Sequence, residues 1–195
     1  MGGGAKPFGI DAELIPEALQ LVQALQLDWH GFHVFSGSQS LNAGAIADSH
    51  ARGVALALRL AGSAHTAPRK LTIGGGLGIP YFPGEQPLQL DAIGAGLGQL
   101  LDDCARAAPG MQLAVELGRF MVGEAGVYVA RVIDRKVSRG EVFLVTDGGL
   151  HHHLAASGNF GQVIRKNYPA AIGNKVRGER RERATVVGPL CTPLD

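Results

Sequence analysis

Only two cysteines, Cys104 and Cys191, occur among 195 residues. That is too few for a disulfide framework, so a reducing cytoplasm is the expected setting. Charge is also scarce: 18% of residues are Asp, Glu, Lys or Arg, and the net charge is +1. Such a balance gives no general pull toward nucleic acid or a membrane surface, and neither is expected as a partner. The basic stretch Lys175–Arg183 is interleaved with acids and reads as a solvated loop. No apolar run is long enough to span a bilayer, and Met1–Gly9 lacks the charged-then-apolar shape of a targeting segment. Two phosphate signatures are missing as well. Counted from Gly74, the G-x-G-x-x-G fingerprint fails at Ile79, and no G-K-[ST] follows any glycine run.

What is present is a core. Hydrophobic residues make up 46% of the chain, enough for one domain or one and a half. Asp11–Gln26 carries Ile15, Leu19, Val22 and Leu25 on one helical stripe, with Pro16 tolerable only near the first turn. Trp29–Gln39 is a short strand-like run ending in a turn. Asn42–Gly62 reads as a helix and Lys70–Ile73 as a strand. Leu90–Ala108 reads as a helix with Leu90, Ile93, Leu97, Leu101 and Cys104 on one side, and Gln112–Gly118 as the next strand. This alternation predicts parallel β/α units over residues 1–120. Beyond Arg119 the runs Phe120–Val137, Glu141–Asp147 and Arg183–Gly188 have β character without intervening helices, so residues 121–195 are expected to form a second, β-rich part.

The polar residues of the first part fall at its strand ends: His33, Ser38, the triplet Gly74, Gly75 and Gly76, and Glu116 with Arg119. In parallel α/β folds, ligands bind at the carboxyl ends of strands. Three glycines in a row are costly to order, and they let the backbone approach something closely. A phosphate is the commonest such partner, and a flexible turn is the other reading. Arg119 suits a phosphate through its planar donor fork. Glu116 and Arg119, three apart, also suit an ordinary surface pair.

Five segments decide between these readings together. "GFHVFSGSQ", "IGGGLGIPY", "ELGRFMVGEAGVYV", "VTDGG" and "VVGPLCTPLD" occur in this order and at fitting spacing. In that register the chain resembles the fold-type III pyridoxal-phosphate decarboxylases, the diaminopimelate/ornithine/arginine decarboxylase family. "DGGLHHHLAASGNFGQVIRKNYP" and "GPLCTPLD" are most similar to its exosortase-associated branch. The resemblance implies an α/β chain: the later units of a pyridoxal-phosphate-binding (β/α)8 barrel of the alanine racemase type over residues 1–120, then the start of a β-rich domain over 121–195. It also implies a fragment. The family's Schiff-base lysine lies upstream of anything here, and neither Lys6 nor Lys70 sits in its motif.

The resemblance further implies pyridoxal 5'-phosphate as cofactor, an amino-acid or diamino-acid substrate, and a homodimer with shared active sites. Glu116 would hold the pyridine nitrogen protonated, so that the ring serves as an electron sink. Gly74, Gly75 and Gly76 would offer N–H groups to the phosphate, with Ser38 and Arg119 adding donors; Leu117 and Gly118 complete the Glu116–Arg119 segment at the cofactor. Phe35 takes the place of a histidine that stacks on the ring, and a phenyl ring still stacks. His33 keeps the preceding histidine position and reads as a packed, hydrogen-bonded residue. Cys191 falls at the family's proton donor. Asp147, Thr192 and Asp195 fall at or near substrate positions. Ala155, Asn159 and Thr192 stand where diaminopimelate decarboxylases carry an arginine, a tyrosine and an acid, which argues against diaminopimelate itself. Two alternatives stay open: a noncatalytic cofactor-binding homologue, and a metal-dependent hydrolase using His33, Glu116, Asp147 and His151–His153.

Overall fold

The computed structural model describes residues 6–154, 168–178, 180–192 and 195. It divides into two compact units, residues 1–80 with 85–123, and residues 81–84 with 124–195.

In the first unit a short 3-10 turn, Ala12–Leu14, leads into helix α1 (Ile15–Ala24), with Pro16 in its first turn, where a missing N–H costs nothing. Strand β1 (Gly31–Val34) follows, then helix α2 (Ala43–Ala61), β2 (Lys70–Gly74), α3 (Leu90–Ala107) and β3 (Gln112–Glu116). The Asn42 side chain caps α2 by accepting the Ala45 N–H at 2.9 Å. The three strands are parallel in the order β1-β2-β3. Register pairs Val34 with Ile73, and Gly74 with Glu116, so all three strands end at one rim.

The core lies between the sheet and its two long helices. Leu71 and Ile73 alternate onto one face of β2 and pack with Val54 and Ala57 of α2 and Cys104 of α3, each at most 2% exposed. The expected α3 stripe is rotated. Ile93 and Cys104 are buried, but Leu90 and Leu101 stay about half exposed, and Leu100 packs on the core instead. At 3.6 residues per turn, Leu101 lies roughly 80° round the helix from Ile93, and Leu100 only about 20°. Burial pushes the Cys104 thiol up from its ordinary value. A second cluster of Ile46, Leu88 and Ile93 gathers Leu77 and Phe120, which immediately follow the glycine triplet and Arg119. Both rim segments are thereby tied to the core.

The predicted β run after Arg119 starts late. Residues Arg119–Val122 form one helical turn, α4, closed by the Gly123 N–H on the Arg119 carbonyl at 2.7 Å. Strand character begins only at Val132.

The second unit is built on β4 (Val132–Ser138), β5 (Glu141–Thr146) and β6 (Thr185–Val187). A two-residue turn, Arg139 and Gly140 with φ of 51° and 87°, joins β4 to β5, as tight antiparallel hairpins require. β6 adds in parallel to β5. Among the described residues, no helix is long and apolar enough to cross a membrane.

Candidate cofactor site at the strand rim

Because the three strands end in register, the residues that follow them converge. Phe35 and Ser38 after β1, Gly74, Gly75 and Gly76 at the end of β2, and Glu116, Leu117, Gly118 and Arg119 after β3 all line one cavity of about 330 Å³. Every cofactor residue read from the sequence is therefore at this place. A somewhat larger hollow, about 420 Å³, lies between α1 and the loop before β2, lined by Trp29, Asp28 and Arg69. It sits at the opposite ends of the strands, and the reading from the sequence assigns it nothing. Lys70 is at that far end too, and no described lysine lines the rim cavity.

The triplet divides its work. A Cβ on Gly74 would come within 2.7 Å of the Phe35 ring, so the bare α-carbon lets the phenyl group lie against β2. The Gly75 N–H donates to the Glu116 carbonyl at 2.8 Å, which locks β2 to β3 and takes that amide out of the donor set. Gly76 has φ of +70°, a backbone setting that favours glycine. A Cβ there would meet only the Gly37 carbonyl, at 3.6 Å, and among the described residues the Gly76 N–H has no acceptor. The Gly76 carbonyl accepts the Ser40 N–H at 2.9 Å, and Gly78 donates back to the Ser40 carbonyl at 2.8 Å.

Glu116 is not solitary. His33 Nε2 lies 2.9 Å from Glu116 Oε2, although 83 residues separate them, and both side chains are more than half exposed. An ionised carboxylate only accepts, so the His33 Nε2 carries the proton. His33 is thus hydrogen-bonded as expected, but exposed at the rim rather than packed. The pair gives the site one oriented carboxylate beside a flat apolar face, Phe35, which is 63% exposed. Chemically the rim offers a ring face, an oriented anion, a guanidinium, a hydroxyl and a glycine amide.

His50 escaped the sequence reading. It sits on the apolar stripe of α2, with Ile46, Gly53, Val54 and Ala57, and is 3% exposed. A polar residue on a buried stripe was the available signal. Its Nε2 lies 3.2 Å from the Gly74 carbonyl and 3.0 Å from the Gly75 carbonyl.

The remaining expected site residues belong to the second unit. Asp147 is exposed after β5, and its Oδ1 accepts the Arg131 N–H at 2.8 Å. Cys191 is a free, exposed thiol, and Thr192 follows it. Asp195 accepts the Leu150 N–H at 2.5 Å and the Leu190 N–H at 2.8 Å. These two amides hold its carboxyl below the usual aspartate range. Gly149 and Gly188 leave room for that carboxylate, since a Cβ on either would come within 2.2 Å of it. Asp195 therefore pins the loop that carries Cys191. Ala155 and Asn159 lie outside the described residues. Among the described residues, no three His, Cys, Asp or Glu side chains gather where they could share a metal ion.

The comparisons with known proteins agree in kind. A family model described as pyridoxal-dependent decarboxylase, pyridoxal binding domain, matches residues 1–123. The chain is similar to L-glutamyl-[BtrI acyl-carrier protein] decarboxylase of Niallia circulans, with 36% identity over 200 residues, covering 100% of this chain and 46% of that protein. It is similar to the diaminopimelate decarboxylase of Thermoplasma acidophilum, with 31% identity, covering 100% of this chain and 44% of that protein. A crystal structure of diaminopimelate decarboxylase shares the fold with a TM-score of 0.76 at 22% identity, over 100% of this chain and 48% of its own. The chain thus spans about half the length of the curated relatives it matches.

Proposed function

From the premise that this chain belongs to the pyridoxal-dependent decarboxylase family, we propose that its rim cavity is the phosphate-and-ring end of a pyridoxal 5'-phosphate site in an amino-acid decarboxylase. The observation that carries the reading is the convergence of Phe35, the Gly76 amide, Arg119 and Glu116 on one cavity. This donor set fits the cofactor: a phosphate needs amide and guanidinium donors, an aromatic ring needs a flat face, and a pyridine nitrogen needs an acceptor.

Bound there, pyridoxal 5'-phosphate supplies the electron sink that makes loss of carbon dioxide from an amino acid fast. Phe35 covers one face of the ring. The Gly76 N–H, Arg119 and the Ser38 hydroxyl hold the phosphate. Gly74 and Gly75 bring the strands close enough for this, and Leu117 and Gly118 carry the chain from Glu116 to Arg119. Glu116 would accept a hydrogen bond from a protonated pyridine nitrogen, and His33 keeps its carboxylate aimed. Residues 1–120 act as later units of the barrel and 121–195 as the start of the β domain. Both act within a longer protein, whose imine-forming lysine comes from outside this chain.

Cys191 acts as the proton donor beside the substrate, with Asp147 and Thr192 near it. Asp195 serves that place by anchoring the Cys191 loop, as its two amide bonds support. We further propose a homodimer whose Cys191 loop completes the partner's site. Ala155, Asn159 and Thr192 suit a substrate without a free distal ammonium and carboxylate, in an exosortase-associated setting. The relative that acts on a glutamyl group held by a carrier protein is in keeping with such a substrate.

The test is spectroscopic. Full-length protein loaded with pyridoxal 5'-phosphate should show a visible absorbance band that borohydride abolishes, and should release carbon dioxide from an amino acid or an aminoacyl carrier. A loaded protein with no turnover on any such substrate would favour the noncatalytic homologue. No band at all would end the reading.

A further inference from the structure

We propose that His50, buried on α2 and remote from any reacting atom, is the positioning residue that aims the phosphate-binding amide of Gly76. The inference rests on the cofactor reading above and deepens it. Among the described residues, the groups His50 Nε2 meets are carbonyl oxygens, those of Gly74 at 3.2 Å and Gly75 at 3.0 Å, so Nε2 carries the proton and shares it between them.

Peptide geometry does the rest. The Gly75 carbonyl and the Gly76 N–H belong to one planar unit, and no peptide bond in the described chain is cis. In a trans peptide the C=O and N–H point in opposite directions. His50 sits on the core side with 3% exposure. A Gly75 carbonyl drawn inward to it turns the Gly76 N–H outward, toward the cavity that Gly76 lines. The neighbouring planes are fixed independently. The Gly74 carbonyl shares its plane with the Gly75 N–H, which donates to Glu116, and the Gly76 carbonyl is taken by the Ser40 N–H.

Only the middle plane depends on His50. Glycines resist no rotation of their own, since they lack a Cβ. Without an inward donor, the Gly75–Gly76 plane is free to flip and turn a carbonyl, an acceptor, toward the phosphate. A buried carbonyl left without a donor is costly as well, so the flip relieves the core while it spoils the cradle.

The experiment compares two ligands that differ only in the phosphate, pyridoxal 5'-phosphate and pyridoxal, by equilibrium dialysis on full-length protein. Wild type should prefer the phosphorylated form strongly. His50→Met, similar in bulk and without a donor, should lower that preference by roughly tenfold, the worth of one charge-assisted hydrogen bond, while pyridoxal affinity holds. His50→Gln, whose carboxamide N–H reaches a similar place, should restore it. Amide NMR on the wild type gives a second readout that needs no variant. The Gly76 N–H resonance should move downfield with pyridoxal 5'-phosphate and not with pyridoxal. An unchanged preference in His50→Met, or a Gly76 amide indifferent to the phosphate, overturns the role of His50 while leaving the cofactor site standing. Failure of wild type to bind either ligand overturns the cofactor reading itself.

Discussion

Replacing Gly75 by alanine in the full-length protein tests whether the triplet is needed for strand approach. A Cβ there would lie 2.4 Å from Leu117 Cδ2 and 2.5 Å from the Glu116 carbonyl oxygen. The first clash is soft, because Leu117 is 39% exposed and its methyl swings aside. The second is hard. That oxygen belongs to the backbone of β3 and already accepts the Gly75 N–H at 2.8 Å. A carbon–oxygen contact needs about 3.3 Å, so the strands must part by nearly an ångström, beyond the range of a good N–H···O bond. Losing that bond costs about 1 kcal/mol, and the overpacking strain adds about 1–3 kcal/mol. Reduced freedom of the unfolded chain returns ~0.5–1 kcal/mol. The net expectation is a loss of about 1–3.5 kcal/mol in urea unfolding, together with weaker cofactor binding, because Glu116 moves with its carbonyl. Gly98→Ala in the exposed middle of α3, where a Cβ meets nothing within 4 Å, is the control and should stabilise by up to about 1 kcal/mol. A Gly75→Ala protein within 0.5 kcal/mol of wild type with unaltered cofactor affinity would refute the reasoning.

Three further outcomes are expected. Glu116→Gln should keep the cofactor but slow decarboxylation steeply, whereas Arg119→Ala should weaken cofactor affinity through lost phosphate bonds of ~1.5–3 kcal/mol; wild-type behaviour of both in binding and turnover assays would break the site assignment. Asp195 has a depressed folded pKa, so its anchoring contribution is present above the unfolded aspartate value and fades as pH falls through the depressed one. In an NMR pH titration the Leu150 amide should therefore shift with a midpoint below the ordinary aspartate range, and a midpoint at or above that range would count against the anchor. Finally, mixing full-length Glu116→Gln with Cys191→Ala should recover part of the activity, since one site of a mixed dimer would be intact; no recovery despite free subunit exchange would dismiss the shared site.

The β/α alternation was legible because each element buries one face and its apolar period shows in the sequence. Val54 and Ala57 on α2, and Leu71 and Ile73 on β2, are such positions. The rim residues were legible as motifs, and parallel register is the physical reason that they meet. The rest depended on information that local pattern does not carry. The His33–Glu116 bond spans 83 residues and exists only because β1 and β3 flank the same strand. His50 looked like one polar residue on a helix, and its task is set by two carbonyls over twenty residues away. Leu101 and Leu100 differ by one step of helix rotation, finer than a stripe drawn by eye. Phe120–Val129 has strand-like composition, yet Gly118 and Gly123 bracket a helical turn that composition does not announce.

The two cysteine thiols are chemically unequal, and this makes them easy to interrogate. Cys104 is sealed between α2, α3 and β2 with its thiol held protonated by burial, so it resists alkylation while the fold is intact. Cys191 is in the open. Of these two, a maleimide dye or spin label added under native conditions reaches the exposed Cys191 on the anchored loop and not the sealed Cys104. Delayed labelling of Cys104 then reports opening of the core itself. One reagent reads two clocks: prompt incorporation for the loop, slow incorporation for unfolding.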